Sequence, residues 1–201
     1  LKARLGPSVE FRGVGGYEMA AEGLPSLFRI DDLAIVGIAG ITQALPKILS
    51  RIRQTARAAL DEKPDVMVII DSPDFTHRVA RRVRKKNRNI PIVDYVSPSV
   101  WAWRPGRARA MRRYIDHVLA LLPFEPEVHR ELGGPPCTYV GHPLVEQIDE
   151  LAVLGGLVDD EGFLPAVGRL ERDLALLVVD LHDRRGDLNA QRLHNAAYRF
   201  G

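Results

Sequence analysis

Val66-Met67-Val68-Ile69-Ile70-Asp71-Ser72-Pro73-Asp74-Phe75 is the stretch that decides how this chain folds. Five apolar residues in a row, mostly β-branched, read as a strand buried on both faces. Asp71 to Asp74 follows as a turn. A basic helix then spans about Asp74 to Asn87. It presents Phe75, Arg78, Val79, Arg82 and Val83 at helical spacing, so its apolar stripe is narrow. Strand, polar turn and helix together open a βαβ unit.

The same cycle repeats on both sides. Upstream, Val9–Val14 is a strand candidate that ends in Gly15-Gly16. Ile38–Leu60 is a long helical pattern stopped by Lys63-Pro64, and Pro46 inside it predicts a kink or a break. Downstream, Ile90–Val96 reads as a strand leading into Ser97-Pro98-Ser99. Pro105–Tyr114 is a short helix, His117–Leu122 a strand, Phe124–Leu132 a helix and Cys137–Val140 a strand before Gly141-His142-Pro143. Alternation at this spacing predicts an α/β fold: a Rossmann-like parallel sheet with flanking helices. Such sheets bind ligands at the carboxyl ends of their strands, where the turns after Ile70, Val96 and Val140 fall. After about Leu151 the texture changes to Leu, Arg, Asp and Gly. Leu174–Val179 is a strand candidate there, and Asn189–Tyr198 a weak helix.

The 201 residues suffice for one generous domain, and 46% hydrophobic with 27% charged is a globular composition. Net charge is only +2, but its distribution is uneven. Seven basic residues and no acid lie between Arg78 and Arg88, and Arg104, Arg107, Arg109, Arg112 and Arg113 form a second cluster. The middle of the chain therefore carries a positive face. A solvated face is the default reading of the basic helix. Contact with an anionic membrane comes next. Nucleic acid is disfavoured, because no aromatics interleave with the charges. The single cysteine, Cys137, excludes an internal disulfide and reads as core. No apolar run approaches the ~18 residues of a membrane span, and no signal peptide is visible. The scattered histidines show no metal-ligand spacing, and neither a GxxxxGK[ST] phosphate loop nor a GxSxG elbow occurs.

Several residues are candidates for chemistry. Asp71 stands directly after a buried strand, where apolar neighbours would raise a carboxylate's pKa and suit it to act as general base. It is otherwise a turn or capping residue, although Asp74 is better placed to cap the helix. Gly15-Gly16 would let the backbone approach a phosphate or sugar, or is simply a tight turn. Ser97-Pro98-Ser99-Val100-Trp101-Ala102-Trp103-Arg104 holds both tryptophans of the chain. If the segment is extended, Trp101 and Trp103 point opposite ways, one inward and the other onto a sugar or acyl chain. Alternatively both anchor the core. Arg104 suits phosphate recognition by its planar fork. His142 would hydrogen-bond a substrate oxygen, or is a turn histidine.

These words occur together in one known family. Gly13-Val14-Gly15-Gly16 with Met19 and Ala21-Glu22-Gly23, then Leu33–Gly37, Lys63-Pro64-Asp65-Val66 and Ile70–Phe75, precede Tyr95–Arg104. Leu119–Glu125 and Val140–Leu144 complete the series. In this order they resemble lipid-A-disaccharide synthase over about residues 1–148, and the VSPSVWAWR word is highly specific. The resemblance implies the N-terminal, acceptor-binding half of a two-domain, GT-B-type inverting glycosyltransferase that needs no metal or cofactor. The donor would be UDP-2,3-diacylglucosamine and the acceptor lipid X. The family's essential aspartate falls on Asp71, whose implied role is to take the proton of the acceptor 6-hydroxyl. Gly15, Gly16, Asp74, Ser97, Ser99, Trp101, Trp103, Arg104 and His142 become expected substrate-binding residues. The expected setting is cytoplasmic, on the anionic inner-membrane surface of a Gram-negative bacterium.

The departures are as informative. The family begins with a strand and a Gly-Glu-x-Ser-Gly-Asp loop that this chain does not show, so the sheet is expected to lack its first strand. Residues 149–201 resemble nothing in the family and contain no Pro-Gly-Ser-Arg loop. Their texture is what a shifted reading frame in a GC-rich gene would give. The expectation is an acceptor domain over 1–148 and an unrelated tail, with no turnover by the chain alone. The rival readings are a non-catalytic remnant that at most binds acylated sugar phosphate, and a different Rossmann-like sugar-nucleotide enzyme such as an epimerase.

Overall fold

The computed structural model describes residues 6, 9–33, 38–143 and 176–181. The elements, in chain order, are β1 (Val9–Val14), α1 (Tyr17–Ala21), a 3-10 turn (Ile30–Leu33), α2 (Ile38–Glu62) and β2 (Val66–Ile70). They continue with α3 (Pro73–Lys86), β3 (Ile92–Tyr95), α4 (Gly106–Met111), β4 (His117–Ala120), α5 (Glu125–Glu131), β5 (Cys137–Tyr139) and β6 (Leu176–Leu181). The sheet order is β1-β6-β2-β3-β4-β5. β2 through β5 are parallel, with Ile70 beside Tyr95 and Tyr95 beside Leu119. β6 is antiparallel to both of its neighbours, so β1 runs parallel to β2 one strand further away.

β2 shows why a continuous apolar run is needed. Side chains alternate across a pleated strand. Met67 and Ile69 go to the main core with Ile92 and Val118, beneath Ile52, Ala56 and Ala59 of α2 and Val79, Ala80 and Val83 of α3. Val66, Val68 and Ile70 turn to the other face, with Phe11, Met19, Leu24 and Val93. α2 runs through Pro46 without a break, contrary to one of the two expectations. A proline deletes one backbone bond; here Ile52, Ala56 and Ala59 still hold the C-terminal half of the helix against the sheet.

α3 buries more than its sequence stripe suggests. Thr76, His77 and Ala80 are buried beside Phe75, Val79 and Val83. Its N-cap is Ser72, not Asp74. The Thr76 hydroxyl donates back to the Asp71 carbonyl at 2.6 Å and closes the first turn. Asp74 lies in that turn with its side chain 92% exposed, where a negative charge suits the helix dipole. The strand expected over Leu174–Val179 is found at Leu176–Leu181; the helix expected over Asn189–Tyr198 lies outside the described residues.

Candidate active site

The carboxyl edge of the parallel strands carries most of the backbone strain. Asp71 and Ser72, after β2, both have φ of 44°, Val96, after β3, has φ of 77°, and Arg104 has φ of 52°. A left-handed β-branched residue such as Val96 costs on the order of 1–3 kcal/mol and persists only where its surroundings hold it. Here the ladder holds it. The Asp71 N–H donates to the Tyr95 carbonyl and the Val96 N–H to the Leu119 carbonyl, each at 3.1 Å. The strands are thus tied together one residue beyond their ends, where the chain turns sharply.

Asp71 is half-buried at the top of β2. Its Oδ1 accepts the Ser72 N–H at 2.6 Å, which fixes the carboxylate over the edge of the sheet. The next two strands bring up the tryptophan segment. It is a turn, not an extended strand, so the expected opposition of the two tryptophans does not occur. Both indoles are exposed, Trp101 by 49% and Trp103 by 65%, and the inward anchor is Val100. Trp101 meets Phe124 edge-to-face at 5.4 Å, and the Arg104 guanidinium sits 5.2 Å from the Trp103 ring centre. Ser99 is exposed, and its carbonyl accepts the Ala102 and Trp103 N–H groups. Ser97 is buried: its hydroxyl donates to the Pro98 carbonyl and lies 2.8 Å from His129 Nε2. Its side chain therefore ties the loop to α5.

The remaining candidates are spread along the same edge. Gly15-Gly16 ends β1, two strand positions from β2. A Cβ on Gly15 would come within 2.7 Å of Leu24 Cδ2 and 2.9 Å of Met19 Cβ, so close packing of α1 requires that glycine. The Gly16 carbonyl accepts the Ala20 N–H at the start of α1. His142, half-buried, follows β5, three strand spacings from β2 at about 4.8 Å each. The structure brings Asp74 and Arg104 into one cleft of about 730 Å³ with Pro73, His77, Arg78, Arg81, Arg82 and Arg107. Cys137 packs partly buried against the core; burial pushes its thiol up to about 12, which leaves it without thiolate reactivity.

Sequence reasoning missed the buried polar group behind this cleft. Asp94 lies inside β3, wholly buried, and His77 of α3 is 3% exposed. His77 Nε2 stands 3.2 Å from Asp94 Oδ2, without the alignment of a hydrogen bond. His77 Nδ1 is 3.0 Å from the Tyr114 hydroxyl, which accepts a hydrogen bond from Arg81 at 2.9 Å. Burial pushes the Asp94 carboxyl up; His77 opposes this, and the charge of Asp71 adds to it. The available signal was one acid inside an apolar strand, Ile92-Val93-Asp94-Tyr95. Among the described residues, no cluster of His, Cys, Asp and Glu is arranged to hold a metal ion.

A Rossmann-like α/β sheet, parallel from β2 to β5, with an acid at the carboxyl end of β2 and an arginine cleft beside it, places the chain in the class of α/β proteins that bind ligands at the carboxyl edge of the sheet. The family model for lipid-A-disaccharide synthetase matches residues 2–155. The lipid-A-disaccharide synthase of Nitrobacter hamburgensis is 69% identical over 151 residues, that of Nitrobacter winogradskyi 70%, and that of Bradyrhizobium diazoefficiens 68%. In each case the match covers 75% of this chain and 38% of the relative. This chain belongs to the lipid-A-disaccharide synthase family of glycosyltransferases, and it spans about two fifths of the length of the relatives it matches.

Proposed function

We propose that this chain is the acceptor-holding part of a lipid-A-disaccharide synthase, with Asp71 as general base. In the complete reaction 2,3-diacylglucosamine passes from UDP-2,3-diacylglucosamine to lipid X, giving the disaccharide 1-phosphate and UDP. Asp71 takes the proton of the acceptor 6-hydroxyl as that oxygen attacks the anomeric carbon of the donor, and UDP leaves. The observation that carries this reading is the strained Asp71-Ser72 turn at the end of β2. It holds one carboxylate oxygen on a backbone N–H and leaves the other for a ligand. Trp101, Trp103 and Phe124 offer exposed apolar surface suited to acyl chains, and Gly15, Gly16, Ser99 and His142 lie along the same edge. We place the protein at the cytoplasmic surface of the inner membrane, where the positive middle of the chain meets anionic lipid. No described helix is long and apolar enough to cross a membrane.

A chimera tests the base. The 151 matching residues of the Nitrobacter hamburgensis synthase are replaced by those of this chain, and turnover is assayed with both substrates. The expected result is an active chimera that loses roughly a hundredfold to ten-thousandfold in kcat on Asp71→Asn, with lipid X binding kept. Equal turnover with and without the carboxylate would remove Asp71 from the chemistry.

The arginine cleft fits a second reading as well, in which the chain binds acylated sugar phosphate without turning it over. Detergent-solubilised lipid X should raise the melting temperature of the chain. A cooperative melt unmoved by lipid X would exclude both readings.

A further inference from the structure

The cleft between α3 and α4 is lined by five guanidinium groups: Arg78, Arg81 and Arg82 from α3, and Arg104 and Arg107 from the segment that opens α4. Like charges gathered in one concavity repel and focus a positive field, which an anion bound among them would relieve. The lining offers one acid. Asp74, at the rim, reaches only Arg107, at 4.0 Å. Among the described residues no carboxylate lies within ion-pair distance of Arg78, Arg81, Arg82 or Arg104. The neighbouring Arg84, by contrast, is paired with Asp116 outside the cleft.

The cleft is also rigid where it matters. Arg81 is fixed twice on one side chain: its Nη2 donates to the Tyr114 hydroxyl at 2.9 Å, and its guanidinium carbon lies 4.6 Å from the centre of the Tyr114 ring. Tyr114 is itself held by His77, and His77 abuts the buried Asp94 carboxylate. A buried polar group that ends in an arginine with no carboxylate partner orients that arginine before any ligand arrives, which lowers the ordering cost of binding. The positive end of the α3 dipole adds to the field, because Pro73 and Asp74 of its first turn line the same space.

We propose that this cleft is a phosphate-monoester site, with Arg78 and Arg81 as principal ligands and Tyr114, His77 and Asp94 as positioning residues. Planar forks in a fixed array match the oxygens of a phosphate. A volume of about 730 Å³ takes a phosphorylated monosaccharide, or the headgroup of a phosphorylated lipid, and no polymer. The site depends on the acceptor-half reading only for which phosphate fills it in the cell.

The test is calorimetric titration of the 201-residue chain with glucosamine 1-phosphate, which has no acyl chain, and with glucosamine as control. A parallel arm measures co-flotation with phosphatidylcholine vesicles with and without phosphatidic acid. Glucosamine 1-phosphate should bind and glucosamine should not. Arg78→Ala, whose side chain is exposed and carries no core contact, should weaken binding about tenfold or more, as should Arg81→Ala. Tyr114→Phe keeps the ring and removes the hydroxyl. It should weaken binding by about threefold to tenfold in a variant that still melts cooperatively, and add little to the loss already caused by Arg81→Ala, a non-additivity that a merely structural tyrosine would not give. Arginine-dependent capture only by vesicles containing phosphatidic acid would also uphold the site and name a lipid headgroup as its source. Phosphate binding that is absent in both arms, or that survives Arg78→Ala and Arg81→Ala in cooperatively melting variants, overturns it. The base role of Asp71 fails on turnover of the chimera, whereas this site fails on phosphate binding by the chain itself.

Discussion

β2 to β5 and the β1–β6 pair share one sheet but are held in it by different means. Each parallel strand from β2 to β5 is joined to the next by its own short turn and helix, so neighbours in space are neighbours in sequence. β1 has no such link. Among the described residues its only strand partner is β6, with Val9 opposite Leu181 and Val14 opposite Leu176. β6 comes from a stretch more than thirty residues beyond β5, and it enters against the direction of the parallel strands. The parallel part can assemble from local βα units, whereas the β1 part waits for a distant strand. Loop-closure entropy makes that step the weaker one.

The largest effect expected from this contrast is in the parallel core. Ile69 is wholly buried between Asp94 on β3 and Leu176 on β6. Ile69→Ala should cost about 2–5 kcal/mol, read as a fall in the denaturant midpoint at unchanged slope. A loss below 1 kcal/mol would mean that β2 is not the spine of the sheet. Val178→Pro comes next. Val178 pairs with Arg12 on one side and Met67 on the other, and proline cannot donate to a ladder. Hydrogen exchange should show β1 amides losing protection while β3 and β4 keep theirs. If all strands lost protection together, the two parts would be one cooperative unit and the contrast would collapse.

Gly15→Ala sharpens the same comparison at the end of β1. The new Cβ would press on Leu24 and Met19 at under 3 Å, so a cost of about 1–3 kcal/mol is expected, confined to β1 and α1. Unchanged stability would show that α1 floats on the sheet. The smallest effect concerns pH, in the parallel part. Burial alone pulls the His129 imidazole below its ordinary value of 6.5. An unfolded chain then takes up a proton at His129 before the folded one does. Stability should be level above pH 6.5 on this account and fall as pH drops from 6.5 through the folded value. His129→Gln should flatten that fall in a series of melting temperatures against pH. An identical fall in the variant would assign it to another group.

Much of the site was legible because it consists of turns. Asp71-Ser72-Pro73-Asp74 lies between a strand and a helix, so its place at the carboxyl edge follows from local pattern alone. The arginines of α3 were equally visible as a run of charge. Their meaning was not, because a helical repeat gives the angle of a side chain about its axis and not what stands opposite. His77 and Arg81 are joined only where Tyr114, thirty-seven and thirty-three residues away, comes beside them. The tryptophans misled for a related reason: alternation holds only for extended chain, and the left-handed Arg104 and the turn before it turn both indoles outward.

The sequence by itself determined the βα alternation, the parallel core of β2 to β5, the edge that carries the candidate site and the family of the chain. These depend on contacts between residues a few positions apart, where hydrophobic period and turn chemistry act directly. Only the tertiary structure decided the antiparallel entry of β6, the burial of Asp94 against His77 and the gathering of five arginines into one cleft. Each of those depends on the free energy of bringing distant segments together, which no local period records.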